Sequence, residues 1–158
     1  MIKKKYYLFI IFFIFFLDRI TKIIVINYTN NSNSLDLFSS KYLNFSLIWN
    51  PGIAFGLMSF ENNFFYNLFS FFIFCVIIFL IILTIKAQKF EKISFSMIIG
   101  GALVNFYDRI QYKAVPDFID FHYNNFHWFT FNVAYVFISV GVMLLIFYEF
   151  TKKKEKNV

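Results

Sequence analysis

Polar side chains recur at helical spacing inside long apolar stretches of this 158-residue chain. In FLDRITK, Asp18 and Lys22 are four apart. They share a helical face, and with the carboxylate on the N-terminal side they can form an ion pair. In GGALVNFYDRI, Asn105, Asp108 and Arg109 stand at i, i+3 and i+4, again on one face. VPDFIDF adds Asp117 and Asp120, and FNVAY sets Tyr135 three residues after Asn132. A charge in hydrocarbon costs at least a few kcal/mol, so these groups are expected to pair, to line a site or to reach the interface. Snorkelling to the interface suits Arg19 and Lys22; for Asp18 an inward contact is expected. His122 and His127 near Asp117 and Asp120 raise metal binding, but their spacing fits no metalloprotease pattern and no cysteine joins them, so no metal and no cofactor are expected. The single Cys75 sits among Phe and Ile with no base beside it and reads as packing material.

The elements that must position these groups follow from composition. The chain is 59% hydrophobic and 25% aromatic with a positive mean hydropathy, the profile of a membrane protein. Apolar stretches at about residues 6–26, 64–85, 93–111 and 131–150 are each long enough to cross a hydrocarbon core of about 30 Å as helices. The expected fold is therefore an all-α integral membrane protein, a single membrane domain over residues 1–158 with four transmembrane helices. Lysines cluster before the first span, between the second and third, and after the fourth, while loops 27–63 and 113–130 hold only Lys41 and Lys113. By the positive-inside rule both termini are cytoplasmic and those two loops face outward. The net charge of +6 then reflects topology and contact with anionic membrane lipid, and no nucleic-acid partner is expected.

Depth gathers the polar groups into one layer. Asp18 lies about 18 Å along its helix from Tyr6 and Asp108 about 24 Å from Lys92, both toward the outer side. Asp117 follows in the outer loop, and Asn132 opens the fourth span on the same side. Such a layer implies a polar site near the outer face of the membrane. In the loop between the first two spans, YLNFSLIW has strand composition and NPGIAFG has turn chemistry, so a small extracytoplasmic β element is expected between helices 1 and 2.

DRITK, NPGIAFG, GGALVNFYDR, VPDFIDF and FNVAYVFISVG, in that order and spacing, resemble the motifs of bacterial lipoprotein signal peptidase, also called signal peptidase II. The resemblance runs from Asp18 to Gly141. It implies an intramembrane aspartic endopeptidase of the bacterial inner membrane that cuts signal peptides from diacylglyceryl-modified prolipoproteins and is a possible target of globomycin-type inhibitors. Carried over residue by residue, it makes Asp117 one catalytic aspartate. Asp18, Lys22, Asn50, Gly52, Asn105, Asp108, Arg109 and Asn132 match positions that shape the pocket and hold substrate, and the Asn50 to Gly56 loop resembles the family's β-cradle. The second catalytic aspartate belongs to a Phe-Asn-x-Ala-Asp pattern, and here Tyr135 occupies its place.

That substitution goes to the chemistry. An aspartic peptidase needs one ionised carboxyl to take a proton from water and one protonated carboxyl to donate to the scissile carbonyl. A tyrosine hydroxyl, with an ordinary pKa near 10, can donate a hydrogen bond but cannot serve as the base at neutral pH. Neither Asp120, three residues from Asp117, nor Asp108, nine before it, is placed by the sequence across the cleft from Asp117. Two milder departures are Val104, where the family usually has glycine, and Pro116, which holds Val115 extended. Val104 is expected to crowd neighbouring helices or alter the pocket wall. The resemblance thus implies a peptidase fold with impaired catalysis, and the alternative is a noncatalytic lipopeptide-binding relative. A small transporter subunit would place polar groups at the midplane or on both sides, and fits less well.

Overall fold

A computed structural model describes residues 4–32, 34–52, 63–124 and 126–156, and these described residues form four helices and one four-stranded sheet. In chain order they are α1 (Lys4–Ser32), β1 (Asp36–Ser39), β2 (Leu43–Asn50), α2 (Asn63–Lys86), α3 (Lys89–Tyr112), β3 (Val115–Tyr123), β4 (Phe126–Phe131) and α4 (Val133–Lys156). Lys3 and residues 53–56 of the NPGIAFG run lie outside the described residues.

α3 is the central helix and packs against α1, α2 and α4. Small residues allow the close approach. A Cβ on Gly101 would stand 2.7 Å from the carbonyl oxygen of Ala134 in α4, and one on Gly100 would stand 3.1 Å from that of Ile11 in α1. Gly141 plays the reciprocal part on α4, 2.8 Å from the Ser94 carbonyl. At the N-terminus of α3 the Glu91 carboxylate accepts the Gln88 N–H at 2.6 Å. At its C-terminus Lys113 turns left-handed, with φ 57°, and its N–H returns to the Arg109 carbonyl. The chain then enters β3 almost at once, which ties Asp108 and Arg109 to Asp117.

The helices divide by character. Phe64–Lys86 and Val133–Lys152 are long and apolar enough to cross a membrane. α1 and α3 carry the buried charges. Most large apolar side chains of α2, among them Phe64, Phe71 and Phe72, point outward, so this helix is hydrophobic all round.

The sheet is antiparallel throughout, in the order β1-β2-β3-β4. Its core of Val25, Leu47 and Phe118 packs the strands onto the end of α1. Four expectations need correction here. The β element is not confined to the segment between the first two helices, since β3 and β4, from the segment between α3 and α4, supply half of it; both are rich in aromatic and β-branched residues, which suit a strand. Phe131 closes β4 and does not open the last helix, which begins at Val133. α1 also runs to Ser32, six residues past the expected end, because its last turns lie against the sheet. Cys75, read as packing material, is exposed on the surface of α2.

Candidate active site

Lys22 is fully buried between two equally buried carboxylates. Its Nζ lies 2.6 Å from Asp18 Oδ2 and 2.6 Å from Asp108 Oδ2, and it donates to Asn105 Oδ1 at 2.7 Å. The snorkelling reading of Lys22 therefore fails: the ammonium turns into the bundle because two acids and an amide meet it there. Arg19 turns the same way, pairing with Asp108 Oδ1 at 2.7 Å, donating to the Tyr112 hydroxyl and lying over the rings of Tyr107 and Tyr112. The other oxygen of Asp18 accepts the N–H of Ala134 at 2.7 Å, in the first turn of α4, where the helix dipole favours a negative charge. These contacts bind α1, α3 and α4 into one polar joint.

Asp117 stands beside that joint on β3 and is almost fully buried. Asn132 donates to its Oδ1 at 2.7 Å and Asn50, on β2, donates to its Oδ2 at 2.9 Å. Burial pushes the Asp117 carboxyl up to about 6, and the amide of Asn50, the charge of Lys22, the amide of Asn132 and the charge of Arg109 all act against that rise. Asn132 also donates to Asn105 Oδ1 at 3.2 Å, while its own Oδ1 accepts the N–H of Tyr135 at 3.2 Å. That last bond makes Asn132 the N-cap of α4, which is why an amide closes the β4–α4 junction. Asn50 Oδ1 holds the Gly52 N–H at 3.0 Å, and Arg109 donates to the Gly52 carbonyl at 2.9 Å. Every one of the nine expected positions, Asp117 and the eight pocket residues, thus enters one connected cluster.

Tyr135, in the first turn of α4, lies within electrostatic reach of Asp117, Arg109 and Asp18. Val104 is fully buried in α3 one residue before Asn105. The substitute acids do not reach the site. Asp108 is held at both oxygens by Lys22 and Arg19. Asp120 is an odd number of residues from Asp117 on the same strand, so it takes the opposite face of the sheet, where it meets His127 at 2.7 Å and Asn44 at 3.3 Å. The sequence reading missed Arg19 and Tyr66. Arg19 sits next to Asp18 and so falls off the Asp18–Lys22 face, but its length carries it to Asp108. Tyr66 is buried, and its hydroxyl donates to the Arg109 carbonyl at 3.3 Å; its polar neighbours Asn67 and Ser70 stand among apolar residues and form no charged pattern that would mark it.

The family profile of signal peptidase (SPase) II matches residues 10–151. The chain belongs to the signal peptidase II family. Among curated relatives, it is 46% identical over 160 residues to the lipoprotein signal peptidase of Pelagibacter ubique (strain HTCC1062), covering 98% of this chain and 96% of that one. It is 39% identical over 157 residues to the lipoprotein signal peptidase of Francisella tularensis subsp. mediasiatica (strain FSC147), covering 96% of each. Among solved structures, a bacterial membrane enzyme determined by the in meso method at 2.3 Å resolution superposes with a TM-score of 0.75 at 25% identity, over 97% of this chain and 92% of that one. In the signal peptidase II setting, the cluster around Asp117 is the candidate active site of a bacterial membrane enzyme.

Proposed function

We propose that this chain has the scaffold of an intramembrane aspartic endopeptidase acting on diacylglyceryl-modified prolipoproteins, but with catalysis impaired at its second acid. The whole chain, residues 1–158, forms one membrane domain of four crossings, with both termini cytoplasmic and the site near the outer face of the inner membrane. The observation that carries the reading is the solitary state of Asp117. Of the three carboxylates nearest the α1–α3–α4 joint, Asp18 and Asp108 are bound to Lys22, and only Asp117 is held by neutral amides alone.

The chemistry expected of such a site has two halves, and this chain supplies one. Asp117, ionised at neutral pH, can orient water or a substrate carbonyl's neighbouring N–H; Asn50 and Asn132 fix its direction. The proton that must reach the scissile carbonyl has no carboxyl donor, because Tyr135 stands at that position. Its hydroxyl can donate a hydrogen bond but, with an ordinary pKa near 10, is a far weaker acid than a carboxyl and cannot take up water's proton at neutral pH. Its ring also fills space that the smaller carboxylate would leave to the attacking water.

A second reading, a noncatalytic relative that holds lipopeptides, is favoured by the occupation of both Asp117 oxygens by amide donors. Purified protein in nanodiscs, offered a diacylated signal peptide or a globomycin-type inhibitor, separates the two. Affinity with slow turnover supports impaired catalysis, affinity with no turnover supports the binding relative, and rapid turnover defeats both.

A further inference from the structure

We propose that the seam between α2 and α3 holds one acidic phospholipid, with its phosphate at Lys113 and an acyl chain running toward Phe74 and Phe106. α2 packs chiefly against α3, so this boundary is a two-helix seam and not a bundle interior. A groove of about 370 Å³ runs along it, floored by Phe71, Phe74, Phe106 and Ile110. Its polarity is graded. Lys113 and Tyr66 lie at the end nearest the sheet, and Phe74 and Phe106 lie about two turns deeper, roughly 10–12 Å at the helical rise.

Lys113 chooses the occupant. Its ammonium meets the neutral Asn67 Oδ1 at 3.5 Å and lies 5.8 Å from the ring centroid of Tyr66. No acid is among the described residues that line the groove. A cation at the polar mouth of an apolar groove, with only neutral partners among the described residues, matches a lipid phosphate. A zwitterionic glycerophospholipid would fill the apolar floor as well, but it carries its own ammonium beside the phosphate and so answers the Lys113 charge only in part, whereas an acidic one answers it fully. Arg109 also lines the groove, but its guanidinium is turned inward, donating to the Asn105 and Gly52 carbonyls, while Tyr66 holds its backbone carbonyl, so the seam adjoins the site and Lys113 is the cation at its mouth. An acyl chain here braces Arg109 from the lipid side.

Native mass spectrometry of the full-length protein, incubated in detergent with equal phosphatidylglycerol and phosphatidylcholine, tests the proposal independently of any peptidase activity. Phosphatidylglycerol should be retained about fivefold over phosphatidylcholine, the preference expected of one basic residue. Lys113→Asn should abolish that preference, and asparagine tolerates the left-handed backbone at this position. Lys41→Asn, in the turn between β1 and β2, should leave it intact. Equal retention by the unmodified protein, an undiminished preference in Lys113→Asn, or displacement of the phosphatidylglycerol by a diacylated signal peptide would each overturn it.

Discussion

Asn132 Nδ2 lies 2.7 Å from Asp117 Oδ1 while Asn132 Oδ1 caps the helix that carries Tyr135. One side chain therefore fixes both the direction of the acid and the start of α4. Asn132→Ala should lose the cap, at about 1 kcal/mol, together with the hold on Asp117. Asn132→Asp keeps the cap but sets a second carboxylate against the first. Its thermal stability should fall more steeply with rising pH than that of Asn132→Ala, because like charges cannot both ionise at that distance. Equal pH slopes would show that the two roles are separable.

Asp117 itself gives a pH signature. Its carboxyl is pushed from 3.8 up to about 6 in the folded protein. Between those values the folded state binds more protons than the unfolded one, so the stability from this group is full below 3.8 and is lost as pH rises through about 6. At about 1.4 kcal/mol per unit, the loss is on the order of 3 kcal/mol. Thermal unfolding should show this decline, and Asp117→Asn should flatten it. A slope unchanged in Asp117→Asn would assign the titration to another group.

Lys22 neutralises two buried acids, so its removal is more damaging than its own contacts suggest. Lys22→Met should destabilise the protein by about 3–5 kcal/mol, because Asp18 and Asp108 are left buried without their shared cation. Adding Asp18→Asn and Asp108→Asn to that variant should recover much of the loss. Denaturant unfolding of the single and triple variants measures this; a triple variant no more stable than the single would contradict the shared-cation account.

Helix approach at Gly101 is tighter than at Gly100, with 2.7 Å against 3.1 Å to the facing backbone oxygen. Gly101→Ala should therefore cost about 1–3 kcal/mol by overpacking, and Gly100→Ala less. Thermal unfolding of the two variants checks the order, and a reversed order would place the limiting contact between α1 and α3.

The sequence shows most of the site because its residues carry their own spacing. Asp18 with Lys22, and Asn105 with Asp108 and Arg109, are helical neighbours, and helical neighbours share a face whatever the tertiary fold. What the sequence cannot show is which partner lies across the gap. Arg19 looks like an interface anchor until α3 places Asp108 and two tyrosines in its reach. Asn132 looks like the second residue of a helix until β4 is seen to end at Phe131. The second half of the sheet escapes notice because Phe126 to Phe131 is almost wholly aromatic and apolar, a pattern that serves a helix start as well as a strand. The fate of Asp120 also depends on a strand: in a loop it could turn toward Asp117, whereas in β3 the alternation of side chains sends it to the other face.

On the proposed reading, Tyr135 leaves Asp117 without its partner acid. Cleavage of a diacylated prolipoprotein by the purified protein, measured beside its Tyr135→Asp variant in the same lipid, tests it most directly. The variant should cut faster by about 10²–10⁴-fold, the usual contribution of a positioned acid or base, with the gain lost again in Tyr135→Asp combined with Asp117→Asn. Equal rates for the unmodified protein and Tyr135→Asp would contradict it.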